Sequence, residues 1–455
     1  MPGRGTYSQR FTGGDNLRVV SIVARGLVLA WMAVLILAGA ACSSPPPIKP
    51  LKIGVDLPLS GPEGRAGTPA LNGVQFFVNK HPTIDGFTVQ VAAKDDAVAG
   101  RHDPEKGASN IQALAADPLV LGVIGPFDST VARAEIPIAN TAHLALISPA
   151  VSSRCLTKEP YLPAGLSPTR AAISCKAAGL AAPSDLRPSG TNNFFRVATT
   201  DDLQGPAAAD YAFKNLLLRR MAVLSDHEAY GQSLAGAFMA RFVKQGGSIV
   251  ARLDLDPTGS VDLTGFLRIA KGDGAQGVYF GGVTANHGCV IRAQMASVFG
   301  HGDATPFIGG DGIAQDPDCV RNAGANAVGI YATVPAIAAE SVPTAQPIIA
   351  AFKAQFPGGG DYGAYSMAAY DSAGVLYAAI DRAIKAAGGT LPARDSVVTE
   401  IAATTAFPGA IGTFGFDTAG DTSLRIVSVF ESRSSDPAKP WPLVGAVDYT
   451  AALPY

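Results

Sequence analysis

Short apolar, β-branched runs alternate with segments of helical period along most of this chain, and that alternation constrains the fold more than any other feature. A first set of runs comprises 51–57, 87–93, 120–124 and 144–147, and a second comprises 221–224, 248–253, 277–280, 306–308 and 329–334. Between them lie amphipathic segments such as 71–79, 104–115 and 233–244. Strands separated by helices build right-handed βαβ units and parallel sheets, so the expected class is α/β. A break near 195–200 divides the runs into two doubly wound parallel-sheet lobes. Hydrophobic residues make up 47% of the chain and charged ones 16%, a balance that excludes disorder and suffices for two separate cores. With a net charge of −2 and no basic stripe interleaved with aromatics, nucleic acid is excluded as an expected partner.

The N-terminal residues read as targeting rather than fold. Arg4, Arg10, Arg18 and Arg25 precede an uncharged, mostly apolar run at 26–41. That run is shorter than the roughly 20 residues a spanning helix needs, and it suits the core of a signal peptide, expected over 1–41. It ends in Gly39-Ala40-Ala41-Cys42, which resembles the lipobox of bacterial lipoproteins, with Gly39 where that motif usually has Leu. The resemblance implies that Cys42 is lipidated and that 42–50, with Ser43-Ser44-Pro45-Pro46-Pro47, is a stiff spacer. The expected location is outside the cell membrane, anchored to its outer face. Four further cysteines remain: Cys155, Cys175, Cys289 and Cys319. An even count in an exported chain favours disulfides, and of three connectivities the local one is expected, Cys155 with Cys175 and Cys289 with Cys319. The stretch 152–192, rich in Pro, Ser, Ala and Gly, reads as a loop insertion closed by the first bridge. The tail 435–455 has no helical period and is expected to pack as an extended strap.

In open α/β sheets, ligands bind beyond the carboxyl ends of strands, where helix N-termini present N–H groups. At those places stand Ser60-Gly61-Pro62, Gly125-Pro126-Phe127-Asp128-Ser129-Thr130 and Ser148-Pro149-Ala150-Val151-Ser152 in the first set of runs. The second set contributes Tyr230-Gly231, Gly281-Gly282-Val283-Thr284 and Gly309-Gly310-Asp311-Gly312. Glycines and small hydroxyl residues suit an anionic group held by backbone N–H, with Asp311 free to meet a cation. Catalytic readings are weaker. Gly231-Gln232-Ser233-Leu234-Ala235 approaches a nucleophile elbow, but 225–230 separates it from the preceding strand, so Ser233 reads as helix surface. The six histidines form no pair at metal spacing, and Asp226-His227-Glu228 reads as a solvated loop. Gly358-Gly359-Gly360 lacks the Lys-Ser/Thr of a phosphate loop. Asp95-Asp96 reads as a surface turn. No enzyme activity, cofactor or metal is expected.

Several segments in their order along the chain resemble one family, the type I periplasmic binding proteins of the leucine/isoleucine/valine-binding group. They include "IGVDLPLSGP" (53–62), "KDDAVAGRHDPEKG" (94–107), "GVIGPFDSTVARAEIPIA" (122–139), "LISPA" (146–150), "FRVATTDDLQGPAAADYA" (195–212), "AYGQSLA" (229–235) and "YSMAAYDSAGVLYAAI" (365–380). The resemblance implies two lobes joined by three crossover strands, near 198–200, 333–336 and 414–417. Lobe 1 is then 51–199 with 333–413, and lobe 2 is 200–332 with 414–434. It also implies a substrate-binding protein of an ABC transporter, a monomer that closes by hinge motion on a small polar ligand such as an amino acid and hands it to a permease. A ligand sensor signalling to a membrane receptor, or a binder of amides, carboxylic acids or polyols, stays open. The ligand carboxylate is expected at Ser129, Ala150 and Ser152, the ammonium at Asp311, and aromatic packing at Tyr230. Two aromatic walls of the family pocket are replaced: one position falls at Ala66 beside Arg65, the other at Val283-Thr284. Thr284 is thus a candidate contact, and Arg65 either neutralises a second carboxylate or is a solvated loop residue.

Overall fold

The computed structural model describes residue 3 and residues 49–455, apart from 167–170, 257–260, 302–303 and 359. Apart from residue 3, the expected leader, Cys42 and the spacer through residue 48 lie outside the described residues. Two sheets organise the rest, one per lobe.

The first sheet has the order β2-β3-β1-β6-β7-β8: β1 is Lys49–Leu57, β2 Thr83–Ile84, β3 Phe87–Asp95, β6 Val120–Ile124, β7 Ala145–Ser148 and β8 Phe194–Arg196. A small separate hairpin joins β4, Ala97–Val98, to β5, Arg101–His102. Strands β1, β6, β7 and β8 pair in parallel. Leu51, Ile53, Val55 and Leu57 are fully buried, as a central strand covered on both faces requires. The intervening helices start where their sequences say they should. Asp103 caps Pro104–Ala116 by accepting the Lys106 N–H at 2.7 Å, with Pro in the first turn. Asp128 caps Ser129–Thr141, accepting the Thr130 and Val131 N–H groups at 2.5 and 3.3 Å. Such caps satisfy N–H groups that have no partner within the helix. Helix Ser366–Ala386 returns to this lobe and packs on Gly64–Lys80. The approach is so close that a Cβ on Gly73 would stand 2.1 Å from the Ser366 carbonyl oxygen.

The second sheet runs β10-β9-β11-β12-β13-β16-β17, with β9 at Arg220–Ser225, β10 Ser248–Asp254, β11 Gly277–Gly281, β12 Phe307–Gly309, β13 Ile330–Val334, β16 Ile426–Ser432 and β17 Leu443–Asp448. Pairing from β10 to β13 is parallel, but β13–β16 and β16–β17 are antiparallel. The two sheets are parallel through their centres, as expected, with antiparallel pairs at β2–β3 and along β13–β16–β17. Strand β16 arrives after a hairpin formed by β14, Phe407–Gly409, and β15, Gly412–Phe414, and a hairpin connection allows only antiparallel neighbours for β17. The segment expected as a strap thus supplies the edge strand β17.

Three passages connect the lobes, at 197–200, 335–345 and 415–425. The first two run side by side, the Thr199 N–H donating to the Pro335 carbonyl at 2.8 Å. Both cysteine pairs are joined locally, Cys155–Cys175 and Cys289–Cys319. The first closes the insertion, which reaches the other lobe: Leu162 and Leu166 pack against Ala237 and Ala240 of helix Ala229–Lys244, and the Tyr161 hydroxyl donates to the Gln232 carbonyl at 2.8 Å. Between insertion and third passage lies a buried ion cluster. Arg196 donates to Asp421 at 2.7 Å and to the Ser153 carbonyl at 2.7 Å, and Lys158 reaches Asp421 at 2.8 Å and Asp417 at 2.5 Å. Burial would push the Asp421 carboxyl up, but Arg196 and Lys158 outweigh it and hold it down to about 2.

Candidate functional site

The loops that follow β6, β7, β9, β11 and β12 enclose a cleft of about 740 Å³, counted with its open mouth. Six of the seven residues expected at the ligand line it: Ser129, Ala150, Ser152, Tyr230, Thr284 and Asp311. Ala66 and Val283, where the resemblance lacks its aromatics, line it too. The seventh residue does not. Arg65 turns to a separate groove and pairs with Asp318, which also holds Arg321. A half-exposed guanidinium with a carboxylate partner in reach has little reason to enter the cleft.

Asp311 is the most elaborately held of these groups. Its Oδ1 accepts from Gln204 Nε2 at 2.7 Å and from the Tyr230 hydroxyl at 2.8 Å, and its Oδ2 accepts from the Tyr365 hydroxyl at 2.5 Å. Burial pushes its pKa up against these three donors. Of these side-chain donors only Tyr365 reaches Oδ2, and Asp311 lines the cleft. Gly310 makes the arrangement possible, because a Cβ there would fall 2.2 Å from the Tyr230 oxygen. Tyr230, expected only as an aromatic wall, therefore orients the acid through its hydroxyl, which also accepts the Gly312 N–H at 3.2 Å. Thr284 donates to the Gly312 carbonyl at 3.3 Å.

At the first-lobe wall, Ser129 opens helix Ser129–Thr141 and its hydroxyl accepts the Ser153 N–H at 3.3 Å. The N–H of Ala150, which lines the cleft, is already engaged. Ser148 Oγ accepts from the N–H groups of Ala150 at 3.2 Å and Val151 at 2.9 Å, and itself donates to the Pro126 carbonyl at 2.7 Å.

The sequence reading missed a second group in the same cleft. His102 stands on β5, raised by a tight turn at Ala99 and Gly100 with φ of 52° and 83°, the left-handed conformations a two-residue hairpin needs. Its Nδ1 lies 2.9 Å from Glu63, and its Nε2 lies 2.9 Å from Glu228 and 3.6 Å from Asp128. Burial alone would lower the imidazole pKa, but Asp128, Glu228 and Glu63 outweigh it and push it up to about 12. Glu63 and Asp128 belong to the first lobe and Glu228 to the second, so His102 ties them together. Two readings of solvated loops fall with it. Glu228 is engaged, and neighbouring Asp226 is fully buried, its carboxyl pushed up to about 7 by burial and by Glu228. Asp96, read as a surface turn, is likewise fully buried, and Ser233 is buried within its helix. The only positional signal for His102 was its place beside the "DP" helix start at 103–104, which histidine spacing alone does not reveal.

Among the described residues, the carboxylate and imidazole side chains lining the cleft are Glu63, His102, Asp128, Asp311 and Asp316, with no lysine or arginine. Such a surface favours a ligand that brings positive charge or hydrogen-bond donors.

A family model described as periplasmic binding protein matches residues 50–434. The chain is 27% identical to Leu/Ile/Val-binding protein homolog 3 of Brucella melitensis, over 91% of this chain and 97% of that protein. It is 26% identical to the Leu/Ile/Val-binding protein BraC3 of Rhizobium johnstonii, over 84% and 91%. Among solved structures, a leucine-binding protein from Thermotoga maritima superposes with a TM-score of 0.70 at 22% identity, over 88% of this chain and 99% of that one. A solute-binding protein from Rhodopseudomonas palustris, solved with p-hydroxybenzoic acid, gives 0.69 at 16% identity, over 88% and 97%. With the two-lobed fold and a family match spanning nearly all the described chain, this protein belongs to the periplasmic binding protein family, in its type I, Leu/Ile/Val-binding-protein kind.

Proposed function

We propose that this protein is the extracytoplasmic solute-binding component of an ABC importer, and that its ligand is a small amino acid-like zwitterion captured between the lobes. The observation that carries the reading is Asp311, an acid at the cleft wall held by Gln204, Tyr230 and Tyr365, with only one side-chain donor on Oδ2. An ammonium group suits that position, since a desolvated cation needs an opposite charge. Ser129, Ala150 and Ser152 form the wall proposed for the carboxylate, with Ser129 and Ser152 as hydroxyl contacts. A ligand touching both lobes favours closure, because only the closed form satisfies both of its ends.

The relatives' names describe binding of leucine, isoleucine and valine by those proteins. For this chain, Ala66, Val283 and Thr284 in place of aromatic walls, together with the acidic lining, support a polar rather than a branched apolar side chain. Attachment to the membrane through Cys42 belongs to the same proposal, and a Cys42→Ser chain recovered with the membrane would remove that part of it. The test of the ligand reading is calorimetry of Asp311→Ala against the solute retained by the native protein. Truncating one partner of a buried charge pair costs about 2–5 kcal/mol, so affinity should fall about thirty-fold or more. Unchanged affinity would mean that the ammonium is held elsewhere.

A further inference from the structure

We propose that His102, Asp128 and Glu228 form a binding site for a divalent transition-metal ion of the zinc class, held across the two lobes. Glu63 serves as the partner of the histidine's far nitrogen. The geometry around His102 has the two halves such a site needs. On one side, Nδ1 lies 3.0 and 2.9 Å from the two carboxylate oxygens of Glu63, which also accepts the His102 backbone N–H at 2.6 Å. A carboxylate in that position fixes the tautomer and ring orientation of a metal-ligating imidazole and raises its basicity. On the other side, Nε2 lies 2.9 Å from Glu228 Oε2 and 3.6 Å from Asp128 Oδ1, and one donor atom from each of the three residues falls within 4.8 Å of the others. Bonds of about 2.0–2.1 Å arranged tetrahedrally separate neighbouring donors by roughly 3.3 Å, between the two separations observed.

Charge points the same way. Three carboxylates face one imidazole, so even the imidazolium leaves two negative charges uncompensated in a mostly buried place. A dication with neutral imidazole leaves one, its binding at Nε2 releasing that proton to solvent. Asp96, fully buried with neither carboxylate oxygen hydrogen-bonded, adds no charge to the cluster, because burial and Asp56 push its carboxyl well above the ordinary range. One imidazole nitrogen with two carboxylates suits zinc and its neighbours better than calcium or magnesium, which take oxygen donors. His102 and Asp128 also line the cleft, so the ion is reachable from it. Since Glu228 comes from the second lobe, its binding draws the lobes together.

The test uses purified full-length protein in detergent, stripped with EDTA. Zinc(II) is titrated by calorimetry, and cobalt(II) is followed by visible absorption. One zinc ion per chain and the absorption bands of four- or five-coordinate cobalt are expected, with no displacement by equimolar calcium. His102→Gln should abolish both signals, and Glu63→Gln should weaken zinc ten- to a hundred-fold, as loss of a carboxylate partner does. Glu228→Gln, at a partly exposed helix start, removes a second donor should His102→Gln fail to fold. No zinc uptake at millimolar concentration, or unchanged zinc affinity in His102→Gln or Glu228→Gln, overturns the site and leaves His102 as an ion-paired link between lobes. No amino acid enters these measurements, so their failure and that of the solute-binding proposal are separable.

Discussion

Arg196 and His102 are both buried cations that tie separate passages of chain together, yet the company they keep differs. Around Arg196 the paired charges balance: Arg196 and Lys158 face Asp421 and Asp417, and the remaining guanidinium donors go to the Val151 and Ser153 carbonyls and the Thr157 hydroxyl. Around His102 they do not: Glu63, Asp128 and Glu228 crowd one imidazole. Balance suits a joint that is meant to persist, because a neutral, fully hydrogen-bonded cluster loses least on burial. Imbalance suits a place whose charge is completed by something that arrives. The first cluster lies where chain passes between lobes, the second where the lobes meet over the cleft.

The largest expected effect breaks the balanced cluster. Arg196→Met strands the Asp421 carboxylate inside the protein, and removing one partner of a buried pair costs about 3–5 kcal/mol. Urea unfolding should show that loss. A loss near zero would mean that Lys158 alone satisfies Asp421 and that the joint is looser than its geometry implies.

Next in size are two pH slopes of opposite sign. Asp421 is held at about 2, below its ordinary 3.8, so the stability it contributes is present above the unfolded value and is lost as pH falls from about 4 toward 2. Asp226, fully buried beside Glu228, is pushed up from 3.8 to about 7. Its contribution is fully present below 3.8 and is lost as pH rises through about 7. Unfolding midpoints across pH should therefore flatten on the acid side in Asp421→Asn and between pH 4 and 7 in Asp226→Asn. Identical pH profiles in both variants and the parent would erase the distinction between the clusters.

Much of the fold was legible because period-2 and period-3.6 patterns report burial directly: every expected strand run overlaps an observed strand in its expected sheet. The antiparallel edge formed by β16 and β17 was not, because orientation depends on the path the chain takes back between lobes. In the site, Asp311 and the serines could be found since they follow strand ends. Gln204 and Tyr365 could not, since each reaches Asp311 from a place distant in sequence, Gln204 from a helix and Tyr365 from the turn before one. His102 escaped for the same reason, its three carboxylates being contributed by residues 39, 26 and 126 positions away. For Arg65 the structure takes the second of its two readings, a loop residue outside the cleft. Position put it near the pocket, and Asp318 took it out.

That placement gives the smallest expected effect. Arg65→Ala removes a surface pair worth at most about 1 kcal/mol, and ligand affinity should stay within two-fold. A larger loss of affinity would return Arg65 to the site.

The central claim is that the cleft holds a solute by its amine. Native mass spectrometry of the protein purified without denaturation, followed by identification of the molecule it releases, tests this most directly. The account predicts a compound carrying both an amine and a carboxylate. A retained solute with no amine, such as an aromatic acid, would contradict it.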